Sequence, residues 1–271
     1  MAKPIIYFFR ALIRILDTVS NRFIQILELE VLRIQGKGYG ADTPKIEVRA
    51  LKQFIGHDDV MKITFFDVGA HIGEYTEEIL RLFPNSQVHC FEPNSISFNS
   101  LASKFALDGR VQLNKFALGE DNATSSLYYD KKGSPLSSLL KRNLDFTKLK
   151  MNYSENVIVK TLNSYCQENS VSPTVLKLDV EGFEMSVLKG AAEELETIRI
   201  IQFEFGGANK DSKTYFLDFW SFFTTNKFEV YRISPRGPRL LKDYSELDEH
   251  FRTTNFFAVN SRFARDDQFN R

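Results

Sequence analysis

The sequence predicts an α/β fold, in which a doubly wound, mostly parallel sheet has an antiparallel C-terminal edge and follows N-terminal helices. From about residue 60 onward, short apolar runs alternate with stretches of helical periodicity. This alternation is typical of a parallel sheet with helices on both faces. The last two apolar runs, residues 228–233 and 255–259, are joined by a polar segment with two prolines, which favours antiparallel pairing at that edge.

The first half of the sheet is predicted from apolar runs and helical spacing. Pro84 ends the first helical stretch and Pro93 ends the second apolar run. Phe98, Leu101 and Phe105 recur at the spacing of one helix face. The predicted strands are 62–68, 88–92 and 111–113, and the predicted helices are 74–83 and 97–107.

The second half begins with a polar insertion. Residues 119–156 hold Gly133, Pro135 and several serines, so we expect a short strand at 125–129 and then a long loop. Beyond the loop, apolar runs again predict strands and aromatic-rich periodic stretches predict helices. The predicted strands are 157–161, 175–180, 198–205, 228–233 and 255–259, and the predicted helices are 162–168, 183–195 and 214–223.

Composition excludes several classes of function. The 271 residues carry a formal net charge of zero, so a broad basic surface for nucleic acid is not expected. The two cysteines, Cys90 and Cys166, belong to no CxxC pattern, and no zinc site is expected. Cys90 lies in an apolar run, which favours a buried, reduced thiol.

The N-terminal segment, residues 1–40, is predicted to be an apolar helical segment ahead of one domain at residues 41–271. Arg10 and Arg14 interrupt its apolar run, which is too short and too charged to cross a bilayer. No cleavage site typical of a signal peptide follows. Residues 1–35 are interpreted either as helices that pack on the domain or on a second subunit, or as a helix on a membrane surface. The expected location is cytoplasmic, with peripheral membrane attachment as the alternative.

The first candidate ligand-binding motif lies between the first predicted strand and its helix, at residues 66–73. Gly69 and Gly73 allow a tight turn and close approach of a ligand, but their spacing is G-x-x-x-G and not G-x-G-x-x-G. Asp67 would repel a pyrophosphate, whereas it suits a cationic or amino-bearing ligand such as S-adenosylmethionine. An ordinary strand–turn–helix remains the alternative for this motif alone.

The second candidate is Glu92, 19 residues after Gly73 at the end of the next strand. A carboxylate there can accept hydrogen bonds from both ribose hydroxyls. Because dinucleotide enzymes share this feature, Glu92 indicates a nucleoside and does not identify a methyl donor. A solvated strand end before Pro93 is the alternative.

The third candidate is a group of carboxylates at two further strand ends. Asp179, Glu181 and Glu184 lie where the strand at 175–180 ends and a helix begins, and Glu204 lies at the end of the next strand. Ligands in open α/β sheets bind outside the carboxyl ends of the strands, so these groups are expected near the ligand. Helix capping can account for one of the three carboxylates at 179–184 but not for all of them.

The ordered blocks of these motifs resemble the FkbM family of methyltransferases. The order and spacing match from about residue 65 to residue 207, whereas residues 1–60 and 119–156 carry little resemblance. The matching blocks are residues 67–76, 91–94, 116–118, 178–184 and 188–191, with a less specific similarity at residues 255–257.

The resemblance implies a class I, Rossmann-like methyltransferase that uses S-adenosylmethionine, usually for O-methylation. It places Glu92 on the ribose, Phe116 and Ala117 at the adenine, and Asp179 near the reactive end of the donor. The turn and the methionine side would be lined by Asp67, Gly69, Ala70, His71, Gly73 and Tyr75. His71 departs from the family pattern, which commonly has Asn there, so its role is open.

A hydroxyl acceptor must also lose its proton. The candidate bases are His71, Asp179, Glu181 and Glu204, and we favour Glu181 or His71 because Asp179 is expected to serve the cofactor. The same carboxylates suit Mg²⁺ as an alternative, although no metal is predicted. The tyrosines and serines of the polar loop, with residues 206–214, suit a sugar or another hydroxylated small molecule, and the family resemblance points to glycan or natural-product hydroxyls.

Two other classes of function stay open on the sequence alone. One is a non-catalytic, cofactor-binding subunit on a methyltransferase fold, which would bind cofactor without turnover. The other is a nicotinamide-dependent oxidoreductase, which the acidic residue in the first turn disfavours.

Overall fold

The computed structural model describes residues 7, 10, 13–14, 21–39, 44–55 and 63–263. Most of the apolar N-terminal stretch at residues 4–16 therefore lies outside the described residues. The strands are β1 Thr64–Val68, β2 Gln87–Phe91, β3 Val111–Asn114, β4 Ala117–Leu118, β5 Ala123–Tyr129, β6 Tyr153–Lys160, β7 Val175–Leu178, β8 Ile200–Phe205, β9 Phe228–Ser234, β10 Gly237–Leu240 and β11 Thr254–Asn260. The helices are α1 Asn21–Ile34, α2 Pro44–Leu51, α3 Glu74–Leu82, α4 Ser95–Phe105, α5 Leu162–Asn169, α6 Glu184–Lys189, α7 Asn209–Ser212 and α8 Phe216–Thr225.

The main sheet has eight strands in the order β10-β9-β11-β8-β7-β1-β2-β3. The five strands from β8 to β3 run parallel, while β11 pairs antiparallel with both β8 and β9. This confirms the predicted doubly wound sheet with an antiparallel C-terminal edge. Because β1 has β2 on one side and β7 on the other, the chain reverses its winding beside β1, and a crevice forms at the carboxyl ends of these strands.

Adjacent phenylalanines on one strand supply both faces of the core. Phe65 packs in the cluster with Val48 and Ile79, whereas Phe66 packs in the opposite cluster with Phe203. This follows from the two-residue period of a strand, which sends neighbouring side chains to opposite faces. Both faces of the sheet are therefore covered mainly by apolar side chains.

A second, three-stranded sheet in the order β4-β6-β5 was not predicted as a separate unit. Strand β6 begins at residue 153 and not at 157, and it pairs antiparallel with β5. Sequence alone left most of this region as a loop, because its strands are polar and partly exposed. The small sheet holds the ends of the segment at residues 130–152, which covers the crevice.

Helix α6 is shorter than the predicted helix at 183–195. It ends at Lys189, and residues 190–197 form turns up to a short link before β8. Just after this helix the chain passes close to another backbone segment. A Cβ on Gly190 would lie 2.0 Å from the carbonyl oxygen of Gly119, so only glycine fits at this position. Strand β10, which pairs with β9 in a hairpin, was also missed.

The connection after α1 is a packed turn. Lys37 is buried, and its ammonium lies 3.3 Å from the carboxylate of Asp248. Gly36 adopts a φ of +84°, and a Cβ there would lie 2.4 Å from the carbonyl oxygen of Ile233. These contacts join the residues after α1 to β9, and a domain boundary at residue 40 stays a prediction.

Helix α1 presents apolar side chains to solvent. No residue of α1 is buried, and Phe23, Ile26 and Val31 are among its exposed apolar residues. None of the described helices combines the length and the apolar character needed to cross a membrane. An interface through residues 1–35, with a second subunit or a membrane surface, stays a prediction.

Candidate active site

A cavity of about 910 Å³ opens at the carboxyl ends of β1, β2, β7 and β8. Residues 134–139 and Arg142 cover one side, and residues 251–253 form part of the other. Of the predicted site residues, those that line the cavity are Gly69, Ala70, His71, Tyr75, Glu92, Ala117, Asp179, Glu181 and Glu204. Asp67, Gly73 and Phe116 are absent from its lining.

The turn after β1 depends on glycine. Gly69 has a φ of +80°, and a Cβ there would lie 1.9 Å from the carbonyl oxygen of Asp179. Its place is secured by the amide of Asp179, which donates to the carbonyl oxygen of Val68 at 3.1 Å. Glycine at position 69 therefore allows the turn after β1 to pack directly against the end of β7.

Gly73 and Asp67 support this turn from behind. A Cβ on Gly73 would lie 2.4 Å from the ring of Phe105, so this glycine permits helix packing. Asp67 is fully buried, accepts a 2.7 Å hydrogen bond from the hydroxyl of Thr76 and pairs with Lys177 at 3.2 Å. The carboxylate that sequence placed beside the ligand is therefore neutralised inside the protein.

Lys177, to which the sequence analysis gave no role, connects the two strand ends. Its ammonium lies 3.2 Å from Asp67, 3.3 Å from Asp179 and 3.3 Å from the carbonyl oxygen of Gly69. Burial alone would lower the pKa of Lys177, but the nearby carboxylates of Asp179, Asp67 and Glu47 outweigh it and raise that pKa. Lys177 is therefore a permanent cation whose acceptors are already in place.

Glu92 is held by two backbone donors. Its Oε2 accepts from the amide of His71 at 2.8 Å, and its Oε1 accepts from the amide of Asn94 at 2.7 Å. Each carboxylate oxygen has two lone pairs, so one on each oxygen stays available toward the cavity. Burial raises the pKa of Glu92 to about 7, despite the two amide donors, which lower it. Phe91, Ala117 and Leu118 line the cavity beside it, while Phe116 packs behind Phe91 at 5.6 Å between ring centroids.

The three carboxylates of residues 179–184 have separate roles. Oε1 of Glu184 accepts hydrogen bonds from the amides of Val180 and Gly182, both at 3.1 Å. Glu184 is therefore the one carboxylate of the three that stabilises the loop before the helix. Glu181 pairs with Arg142, and burial followed by the charge of Asp179 raises its pKa to about 8. Asp179 faces the cavity and is the partner of Lys177.

Glu204 lines the cavity at the end of β8 with an uncommitted carboxylate. No hydrogen bond or ion pair from any described residue reaches its side chain, in contrast to Glu181 and Glu184. Burial and the carboxylates of Asp179, Glu181 and Glu184 raise the pKa of Glu204 well above its ordinary value. When ionised, a carboxylate in this state is a stronger base than an ordinary carboxylate.

His71 connects the turn after β1 to the covering segment. It adopts a φ of +48°, and its Nε2 lies 3.2 Å from the carbonyl oxygen of Gly133. The hydroxyl of Ser138 donates to the carbonyl oxygen of Glu181 at 2.9 Å. Two separate contacts thus tie residues 133–138 to the cavity rim.

The sequence of the domain decides which family this site belongs to. A model of the methyltransferase FkbM domain matches residues 67–233, which is more than half of the chain and spans the strands that carry the cavity. The chain belongs to the FkbM methyltransferase family. Family membership removes the nicotinamide-dependent oxidoreductase as an alternative. It also confirms the predicted class I methyltransferase fold and S-adenosylmethionine as the cofactor.

Relatives of this FkbM domain include a fungal protein and solved structures. Methyltransferase 1 of Beauveria bassiana (strain ARSEF 2860) is 29% identical over 180 residues, which cover 58% of this chain and 72% of the relative. An FkbM methyltransferase from Methylobacillus flagellatus KT has a TM-score of 0.48 at 16% identity, and covers 73% of this chain. The match spans 44% of that protein, less than half of its length. Magnesium protoporphyrin IX methyltransferase from Synechocystis PCC 6803 has a TM-score of 0.43 at 9% identity, over 80% of this chain and 78% of that one.

The cavity of the FkbM domain fits its cofactor on two observations. The carboxylate of Asp179 lines the cavity, which suits the amino-bearing end of the cofactor. Glu92 presents open lone pairs beside apolar side chains, which suits a ribose next to an adenine ring. Among the described residues, no group of three or more His, Cys, Asp or Glu side chains is arranged to hold a metal ion.

Proposed function

We propose that this chain transfers a methyl group from S-adenosylmethionine to a hydroxyl oxygen of a sugar, glycan or natural-product acceptor. The observation that carries the proposal is the uncommitted carboxylate of Glu204 in the cavity at the strand ends. A hydroxyl acceptor needs a base for its proton, and a carboxylate with a raised pKa is a stronger base than an ordinary carboxylate.

In this proposal the end of each strand binds a different part of the cofactor. The two open oxygens of Glu92 accept hydrogen bonds from the ribose hydroxyls, and Phe91 and Ala117 contact the adenine ring. Asp179, one strand beyond β1, faces the amino-acid end. When bound, S-adenosylmethionine supplies an electrophilic methyl group on a positively charged sulfur. The protein contributes alignment and the exclusion of water.

Glu204 replaces the bases that the sequence favoured. The carboxylate of Glu181 is paired with the guanidinium of Arg142, so this oxygen pair is committed to an ion pair although the pKa of Glu181 is raised to about 8. His71 directs Nε2 at the carbonyl oxygen of Gly133, so its ring is tied to the covering segment. Glu204 has no such partner among the described residues, so it is the group free to accept a proton from the acceptor.

The acceptor enters beside the covering segment. Ser137 and Ser138 line the cavity, and so do Gly207 and Ala208 of the segment after β8. Tyr128, Tyr129 and Tyr153, which the sequence suggested for sugar binding, do not line it. Tyr129 and Tyr153 stack on each other at 5.8 Å on the small sheet, so their rings stabilise β5 and β6.

A radiolabelled methyl-transfer screen over glycans, lipid-linked sugars and hydroxylated natural products tests the proposed reaction. Label recovered in an alkali-stable methyl ether on one acceptor is the expected result. Methylation at nitrogen or sulfur would contradict the O-methyltransferase proposal. Tight binding of S-adenosylhomocysteine without turnover over the whole panel would favour the non-catalytic subunit.

Replacement of Glu92 by alanine is expected to weaken cofactor binding. The change removes two charge-assisted hydrogen bonds to the ribose, which corresponds to about 1–3 kcal/mol, or about 5- to 150-fold in Kd. Isothermal titration with S-adenosylmethionine and S-adenosylhomocysteine measures it. Glu77→Ala is the matched control, because Glu77 is an exposed carboxylate that pairs with Lys104 on the outside of α3. Equal affinities of wild type and Glu92→Ala would show that the ribose lies elsewhere.

Binding of the nucleoside is also expected to depend on pH through Glu92. Its pKa of about 7 means that the carboxyl group is largely protonated at pH 6 and ionised at pH 8. Only the ionised form accepts from both ribose hydroxyls, so affinity falls as the pH drops, by about tenfold between pH 8 and pH 6. Titration with 5′-deoxy-5′-methylthioadenosine, which lacks the amino-acid end, isolates this group. Glu92→Gln should flatten the profile, and a wild-type profile that is already flat would contradict the assignment.

A further inference from the structure

Glu47 reaches the cofactor cavity from outside the matched family segment. It lies on α2, 20 residues before Asp67, where the match to the FkbM domain begins. Its side chain lines the cavity although only 6% of the residue is exposed. A carboxylate contributed by this helix is absent from the motifs that identify the family.

A relay of hydrogen bonds holds Glu47 in position. The hydroxyl of Tyr75 donates to Oε1 of Gln202 at 2.6 Å, and Nε2 of Gln202 donates to Oε2 of Glu47. The relay orients the amide of Gln202 so that its NH₂ group faces the carboxylate. No hydrogen bond or ion pair from the described residues reaches Oε1 of Glu47, so within this part of the chain one oxygen of the buried carboxylate has no partner.

The charges at this end of the cavity leave a place for one more cation. Three carboxylates, Asp67, Asp179 and Glu47, surround the single ammonium of Lys177. Lys177 donates a hydrogen bond to the carbonyl oxygen of Gly69 and forms ion pairs with Asp67 and Asp179. It forms no hydrogen bond or ion pair with Glu47, so it does not satisfy the open oxygen of that carboxylate.

The order of the strands gives the direction of a bound nucleoside. Glu92 ends β2, and Lys177, at the end of β7, lies on the other side of β1. The side chain that supports Glu47 is Gln202 of β8, one strand farther in the same direction. A molecule whose ribose contacts Glu92 therefore extends its opposite end toward Asp179 and Glu47.

We propose that Glu47 binds the ammonium group of the amino-acid end of S-adenosylmethionine, together with Asp179. This assignment rests on the proposed cofactor site and adds to it a residue that belongs to no family motif. The ammonium group would supply the missing cation and give the open oxygen of Glu47 a charge-assisted hydrogen bond. It also makes α2 a part of the cofactor site, so this helix is more than a cover for the sheet.

Two ligands that differ in the amino-acid end test the proposal by isothermal titration. S-adenosylhomocysteine carries the ammonium group, whereas 5′-deoxy-5′-methylthioadenosine has the same nucleoside and thioether without it. Glu47→Gln is expected to weaken the binding of S-adenosylhomocysteine by about 10- to 100-fold, because the change replaces the charged acceptor of an ammonium group. The affinity for methylthioadenosine should change less than about threefold, and the exposed Glu77→Gln should alter neither ligand.

Three results would overturn the proposal, and the third of them would also contradict the proposed function. An unchanged affinity of Glu47→Gln for S-adenosylhomocysteine excludes contact with the ammonium group. Equal losses for both ligands make Glu47 a structural residue of the cavity wall. If wild type binds neither ligand, the cofactor site itself fails. Binding of methylthioadenosine by Glu47→Gln serves as the control that this variant is folded.

Discussion

Replacement of Glu204 by glutamine is expected to lower kcat by about 10²- to 10⁴-fold, the usual contribution of a positioned general base. The amide keeps the size of the side chain at the end of β8 but cannot accept the acceptor's proton. Affinity for S-adenosylhomocysteine should change less than about threefold, because Glu204 is assigned to the acceptor. Single-turnover methyl transfer to the acceptor found by screening measures the chemical step directly.

The pH profile and a neighbouring variant make this prediction specific. Glu204 must be ionised to accept a proton, and its pKa is raised, so kcat should fall as the pH is lowered through that pKa. Glu181→Gln is the contrasting variant, because its carboxylate is already paired with Arg142. If Glu181→Gln abolishes turnover while Glu204→Gln retains it, the base has been assigned to the wrong strand.

Replacement of Gly69 by alanine is expected to damage both the fold and the cofactor site. The residue has a φ of +80°, and the new Cβ would lie 1.9 Å from the carbonyl oxygen of Asp179. Relief requires the β1 turn and the end of β7 to separate, although the amide of Asp179 donates to Val68 at their junction. We expect a loss of about 2–4 kcal/mol in the free energy of unfolding. Affinity for S-adenosylhomocysteine should fall at least tenfold.

Gly109→Ala is the matched control for that change. A Cβ on Gly109 would meet nothing within 4 Å, and its φ lies outside the left-handed region. Denaturant unfolding of both variants, followed by titration with S-adenosylhomocysteine, separates stability from binding. If Gly69→Ala has the same stability and the same affinity for S-adenosylhomocysteine as Gly109→Ala, the ends of β1 and β7 do not approach each other as closely as described.

Sequence predicted best the residues whose position depends only on the strand that directly precedes them. Gly69 and Glu92 stand directly after buried parallel strands, and all parallel strands of one sheet end at the same edge. Their proximity therefore follows from strand order and does not require any long-range contact to be known. The same reasoning placed Glu204 at the cavity, and its carboxylate is found there.

The parts that sequence missed depend on contacts between distant residues. Glu47 reaches the cavity because it meets Gln202, which is 155 residues away along the chain. Arg142 lies in a polar loop, and only its pairing with Glu181 shows why that carboxylate is a weaker candidate for the base. Neither partner can be read from spacing.

The position of Asp67 shows a different limit of sequence reasoning. Its place before Gly69 suggested a side chain directed at the ligand, but the carboxylate is enclosed by Thr76 and Lys177. Every residue of β1 after Thr64 is buried, so a charge on this strand must be paired within the protein. The pattern of residue types cannot distinguish a carboxylate at a strand end from one behind it.

A crystal structure of the chain with S-adenosylhomocysteine tests the central claim most directly. We expect ribose hydroxyls within hydrogen-bond distance of both oxygens of Glu92, adenine beside Ala117, and the amino group between Asp179 and Glu47. Glu204 should remain clear of the nucleoside and face open space for an acceptor. A nucleoside bound outside the edge formed by β2, β1 and β7, or bound there in the reverse direction, would contradict it.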